Sequence, residues 1–180
     1  MEPYDQWLAG CRYIKSLLFI SLAIGNNLFF MLHYLYTYPE TIVDGDGIRF
    51  SIYLSGCRHH CRGCHNPESW NPASGHPLTR EKIEEFIEAI NSNPLLDGIT
   101  FSGGDPFYSP EDFLPLIKEF SERTGQNIWC YTGYTYEELL EDPVRRVRRV
   151  GVKNTPRRVS STPQHRAKAM SVCTAERTFS

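Results

Sequence analysis

Between residues 48 and 142 the hydrophobic positions follow two alternating periods. Ile48, Phe50, Ile52 and Leu54 are separated by Arg49, Ser51 and Tyr53. That period of two predicts a strand with one buried face. Ile83, Phe86, Ile87 and Ile90 then recur at i, i+3, i+4 and i+7, the stripe of a helix packing one side inward. Glu81, Glu84, Glu85 and Glu88 read as its solvated side, and Thr79 stands where a cap is wanted. Gly98 to Ser102 predicts the next strand. Ser109-Pro110-Glu111-Asp112 opens a second helix with Ser as cap and Pro in the first turn, and Phe113, Leu116, Ile117 and Phe120 line its buried face. Gly125 supplies its stop. Asn127 to Tyr131 predicts a third strand, and Thr135-x-x-Glu138 a capping box on a short helix. Strands alternating with helices imply parallel strands joined by right-handed crossovers.

Outside that window the pattern weakens. Ile14 to Leu35 is apolar, but Gly25-Asn26-Asn27 interrupts it and no small-residue cleavage site follows. A membrane span wants about 20 mostly apolar residues. Residues 1–35 are therefore expected to be an atypical apolar extension packed on the domain, neither a span nor a signal peptide. From Pro143 the periodicity fails. Residues 1–142 hold 9 Lys+Arg against 20 Asp+Glu, whereas residues 143–180 hold 10 Lys+Arg and the single acid Glu176. The tail is expected to be basic and disordered, a native extension or a frameshifted end. Without interleaved aromatics it does not point to nucleic acid.

The chemistry lies just past the first strand. Cys57-Arg58-His59-His60-Cys61-Arg62-Gly63-Cys64 places three thiols in eight residues at spacing C-x3-C-x2-C. Soft thiolates suit iron–sulfur clusters or zinc. Three of them can hold three corners of a cuboidal cluster and leave the fourth iron open. A zinc site would borrow a fourth ligand from His59, His60 or His65; incidental cysteines are the remaining alternative. The other cysteines, Cys11, Cys130 and Cys173, are scattered, which fits a reducing cytoplasm better than a disulfide scaffold. No Ser-His-Asp or paired-carboxylate arrangement stands out. His59 and His60 read as exposed loop residues, Cys130 as a buried small residue and Trp129 as core.

Tyr38 to Cys57 (YPETIVDGDGIRFSIYLSGC), Cys64 to Trp70 (CHNPESW), Thr100 to Pro106 (TFSGGDP) and Asn127 to Leu139 (NIWCYTGYTYEEL) complete a set of motifs in order. Together with the cysteine loop they resemble the radical S-adenosylmethionine (SAM) superfamily, in its glycyl-radical-activating branch. The likeness covers about residues 36–142. It implies an α/β fold, a radical SAM partial (βα) barrel, shortened and left incomplete at the C-terminus if the tail is a frameshifted end. It implies Cys57, Cys61 and Cys64 as ligands of a [4Fe-4S] cluster, with SAM chelating the open iron and its reductive cleavage giving methionine and a 5′-deoxyadenosyl radical. Gly103, Gly104 and Asp105 would meet the methionine end of SAM. Gly63, Cys64 and His65 would flank its adenine, and Thr132 would reach it from the third strand. The implied partners are a glycyl-radical enzyme, foremost the large subunit of an anaerobic ribonucleotide reductase, and a small electron donor such as flavodoxin. An enzyme of the pyruvate formate-lyase type is the alternative target, and a non-catalytic metal- or partner-binding module the alternative class.

Overall fold

The computed structural model describes residues 32–142, together with the backbone of strands Val152–Arg158 and Lys168–Val172. Seven strands form one mixed sheet in the order β3-β1-β2-β4-β5-β7-β6. The expected strands are present as β2 (Arg49–Leu54), β4 (Gly98–Gly103) and β5 (Asn127–Thr132). They pair in parallel, Arg49 opposite Gly98 and Gly98 opposite Asn127. Helices α1 (Arg80–Ser92) and α2 (Pro110–Thr124) make the crossovers.

The helix ends form as their residues dictate. The Thr79 side chain accepts from the Lys82 amide. Gly125 ends α2 in the left-handed conformation at φ 66°. Thr135 and Glu138 close a reciprocal capping box on α3 (Tyr136–Glu141). Ser109 occupies the cap position of α2 but gives no side-chain bond. One face of the sheet meets the helices. Phe50, Ile52, Leu54, Ile99, Phe101, Ile128 and Cys130 pack there with Ile83, Phe86, Ile87, Leu116, Ile117 and Phe120. Fully burying one such side chain contributes about 1.5–3 kcal/mol.

Four expectations need correction. First, β2 is buried on both faces. Arg49 is 1% exposed and Ser51 fully buried. The Arg49 guanidinium donates to Thr100 Oγ1 at 2.6 Å, to the Ile99 carbonyl at 2.7 Å and to Asn127 Oδ1 at 3.0 Å, and lies over the Trp129 ring. For Arg49, polar partners on neighbouring strands replace water, so a charged residue on a period-two face need not face solvent. Trp129 is buried core as expected, packed with Tyr131 in a smaller cluster. Second, His59, read as an exposed loop residue, is partly buried beside Asp105. Third, a strand begins inside the presumed N-terminal extension: β1 (His33–Thr41) runs antiparallel to β2, with irregular register at Tyr34–Tyr36 and Tyr38–Thr41. The short β3 (His76–Pro77) pairs with its first residues. Fourth, the region read as a disordered tail contains β6 (Val152–Arg158) and β7 (Lys168–Val172), antiparallel to one another, with β7 antiparallel to β5. Backbone pairing needs no apolar periodicity, and this stretch had little to show. Most of Ile14–Leu35 lies outside the described residues. Among the described residues no helix is long and apolar enough to cross a membrane.

Candidate functional site

The three parallel strands end at one edge of the sheet, where ligands collect in α/β folds. Ser55 and Gly56 carry the chain out of β2 into the cysteine loop. The Gly56 amide donates to the Ser69 carbonyl at 2.7 Å and the Cys57 amide to Trp70 at 3.3 Å, so the 3₁₀ turn Pro67–Trp70 braces the loop base. A tight turn closes Cys61–Cys64, with the Cys64 amide on the Cys61 carbonyl at 3.1 Å and Gly63 at φ 73°. That conformation suits glycine, which has no Cβ to clash.

Cys57, Cys61 and Cys64 are all free thiols; Cys61 is exposed and the other two are partly covered. Burial raises the Cys57 pKa, and the His59 backbone amide, hydrogen-bonded to it, offsets part of that rise. The Asn66 amide donates to Cys64 Sγ at 3.4 Å. Amide-to-sulfur bonds of this kind support thiolates that ligate iron and tune cluster potential. Among the described residues no three His, Cys, Asp or Glu side chains are grouped to hold a single metal ion. By its chemistry the donor set suits a cluster: three soft sulfur donors on one loop, with the Asn66 amide already on Cys64.

The Gly103–Gly104 turn crosses directly under this loop. A Cβ on Gly104 would lie 2.5 Å from the Gly56 carbonyl oxygen, and one on Gly103, at φ 97°, 2.5 Å from the Leu54 carbonyl oxygen. Only glycine allows that approach. The Gly104 amide donates to Leu54 at 2.7 Å and the Asp105 amide to Gly56 at 2.8 Å. Those two amides are thereby committed within the protein.

Asp105 turns its carboxylate inward. It is 1% exposed, and its carboxylate accepts from the Phe107 amide, the Thr132 hydroxyl and the Gly133 amide, each at 2.9–3.0 Å, and bonds His59 Nε2 at 2.8 Å. It is a node tying three loops together. Thr132 is likewise engaged by Asp105, although it ends its strand beside the site. His65 is exposed next to Cys64. His60 is exposed, with its ring 4.8 Å from that of Trp70. His59 is not: it is partly buried against Asp105, and its ring meets Tyr134 edge-on at 4.5 Å. Its partners are 46 and 75 residues away, so spacing could not reveal them. The available signal was Gly133, a small residue between Thr132 and Tyr134 at the end of a strand. Cys130 is fully buried, which raises its pKa, and it takes no part in the loop.

A three-cysteine loop at the carboxyl edge of a parallel sheet is a donor set suited to an iron–sulfur centre. A family model described as a 4Fe-4S single cluster domain matches residues 43–165. An anaerobic ribonucleoside-triphosphate reductase-activating protein of Salmonella typhimurium is 40% identical over 106 residues, 57% of this chain and 69% of its own length. Its counterpart in Escherichia coli is 38% identical over 112 residues, 60% of this chain and 73% of its own. That of Pasteurella multocida is 34% identical over 120 residues, 64% and 75% respectively. The chain belongs to the 4Fe-4S single cluster family that includes these activating proteins.

Proposed function

We propose that this chain is a radical SAM oxidoreductase that activates an anaerobic ribonucleoside-triphosphate reductase by generating a glycyl radical on its large subunit. The observation that carries the reading is the cysteine loop lying against the Gly103–Gly104 turn, in a chain whose relatives are named for that activation. Cys57, Cys61 and Cys64 would hold a [4Fe-4S] cluster and leave one iron without a protein thiolate. Bound cluster and SAM would supply reductive cleavage of the sulfonium and a radical able to take hydrogen from a glycine α-carbon. The carbonyls of Gly103 and Gly104 would receive the amino group of SAM. Gly63 and His65, beside Cys64, would border the adenosyl end. Exposed Cys61, flanked by exposed Arg58 and Arg62, would face the electron donor, a small acidic protein such as flavodoxin. The parallel core β2, β4 and β5 with its crossovers would be the wall of a shortened partial (βα) barrel.

Anaerobic reconstitution with iron and sulfide, reduction by dithionite and addition of SAM test this. The expected result is about four irons per chain, by the cuboidal stoichiometry, with 5′-deoxyadenosine formed and then lost in Cys61→Ala. Incubation with the anaerobic reductase should add a glycyl radical signal in electron paramagnetic resonance. Tight zinc binding with no iron uptake would overturn the assignment; a cluster without deoxyadenosine would overturn the SAM chemistry alone.

A further inference from the structure

The cysteine loop is short of apolar anchors, and its side chains rest on neighbouring turns: Arg58 lies over the Tyr108 ring and His60 against Trp70. A third is tied by a hydrogen bond. His59, midway between Cys57 and Cys61, reaches across to Asp105 with Nε2 2.8 Å from Oδ2. That carboxylate is itself held by the Thr132 hydroxyl and by the Phe107 and Gly133 amides. The imidazole lies so close over Gly133 that a Cβ there would stand 2.5 Å from His59 Cδ2 and 2.6 Å from Nε2. Tyr134 closes the side of the ring at 4.5 Å. His59 thus connects the loops after β2, β4 and β5.

We propose that His59 is a positioning residue: seated on Gly133 and bonded to Asp105, it holds the cysteine loop in its cluster-receiving conformation before any metal arrives. This rests on the cluster assignment above, but its first consequence concerns the metal-free protein. Fixing a loop in advance reduces the ordering that binding must impose, so assembly is faster and loss slower. The hydrogen bond ends on a carboxylate, which places it among the stronger ones.

The test is a double-mutant cycle on the full chain with two readouts. Hydrogen exchange of residues 57–64 is measured in the metal-free protein, and iron loss to a chelator in the reconstituted protein. His59→Ala should accelerate both by about tenfold, the scale of one charge-assisted bond. His59→Gln, which can present an amide nitrogen near the Nε2 position, should restore most of the difference. Gly133→Ala should mimic His59→Ala, because its methyl displaces the ring. In the His59→Ala background, Gly133→Ala should add little, since the atoms nearest that methyl all belong to the His59 ring. Additive effects, or wild-type exchange in His59→Ala, would overturn the proposal. Should the wild-type chain take up no iron, the functional reading fails while the exchange cycle still decides the role of His59.

Discussion

Replacing Asp105 should be among the most damaging single changes outside the apolar core. Its carboxylate serves four donors, which differ in what they can do without it. Phe107 is fully buried and Thr132 is 2% exposed, so their donors have no easy route to water. A buried donor left unsatisfied costs about 1–3 kcal/mol. Gly133 is exposed and the His59 side chain is 23% exposed, so these two re-hydrate and lose only the net bond, about 0.5–1.5 kcal/mol each. Asp105→Ala should therefore cost about 3–9 kcal/mol, with water entering the vacated space pulling it toward the lower end. Asp105→Asn keeps the shape. An amide oxygen in place of Oδ1 still accepts from Phe107 and Thr132. The NH2 group in place of Oδ2 then faces the Gly133 amide, donor against donor, while neutral His59 can change tautomer and accept. That variant should lose about 2 kcal/mol, roughly one unsatisfied donor. Urea unfolding of the metal-free protein under reducing conditions, followed by far-ultraviolet circular dichroism, measures both. A loss under 1 kcal/mol for Asp105→Ala, or a larger loss for Asn than for Ala, would refute the assignment of this carboxylate as the node joining the three loops.

Gly104→Ala should be folded but impaired in cluster uptake, because its Cβ would push on the Gly56 carbonyl at 2.5 Å; iron content after reconstitution reads this directly. Arg49→Lys should destabilise by about 2–4 kcal/mol, since one ammonium cannot reach Thr100, Ile99 and Asn127 together; a thermal melt against Arg49→Met shows whether the lost fork or the charge matters. Arg123 and Arg80 hold the Glu84 carboxyl down at about 2 from its ordinary 4.5, in a network with Glu119 between α1 and α2. A lowered folded pKa means stabilisation present above pH 4.5 and lost as pH falls toward 2, so the melting-temperature gap between wild type and Glu84→Gln should shrink over that window and with added salt.

What the sequence made legible was local. Strand and helix periods, the Thr79 and Thr135 caps and the Gly125 stop are set by neighbours within four residues, and each forms as those neighbours require. The cysteine loop was legible for the same reason, being eight consecutive residues. What escaped was fixed at long range. Arg49 looked solvent-facing because its acceptors lie 50 and 78 residues away on other strands. His59 looked exposed because Asp105 and Gly133 are far along the chain. β1 hid in tyrosines whose register against β2 is broken twice, so no clean alternation marked it. Asp105 was legible as a motif residue, but its place within the motif did not reveal that its carboxylate faces inward.

The carboxyl ends of β2, β4 and β5 share one device. Each runs into a turn with a glycine where a side chain would not fit: a Cβ on Gly56 would lie 2.6 Å from the Tyr108 ring, one on Gly104 2.5 Å from the Gly56 carbonyl oxygen and one on Gly133 2.5 Å from the His59 ring. Removing side chains at these points lets three backbones converge under the thiols. A site assembled this way presents sulfur, carbonyl and amide groups, and its acid Asp105 is turned inward to hold the loops. Such a surface is poor at proton transfer but well suited to gripping a cofactor that brings its own reactivity. The glycines are therefore as much part of the site as the cysteines. Alanine at Gly56, Gly104 or Gly133 should weaken cluster retention while leaving the helix-packed core of Phe101, Ile83 and Phe120 intact.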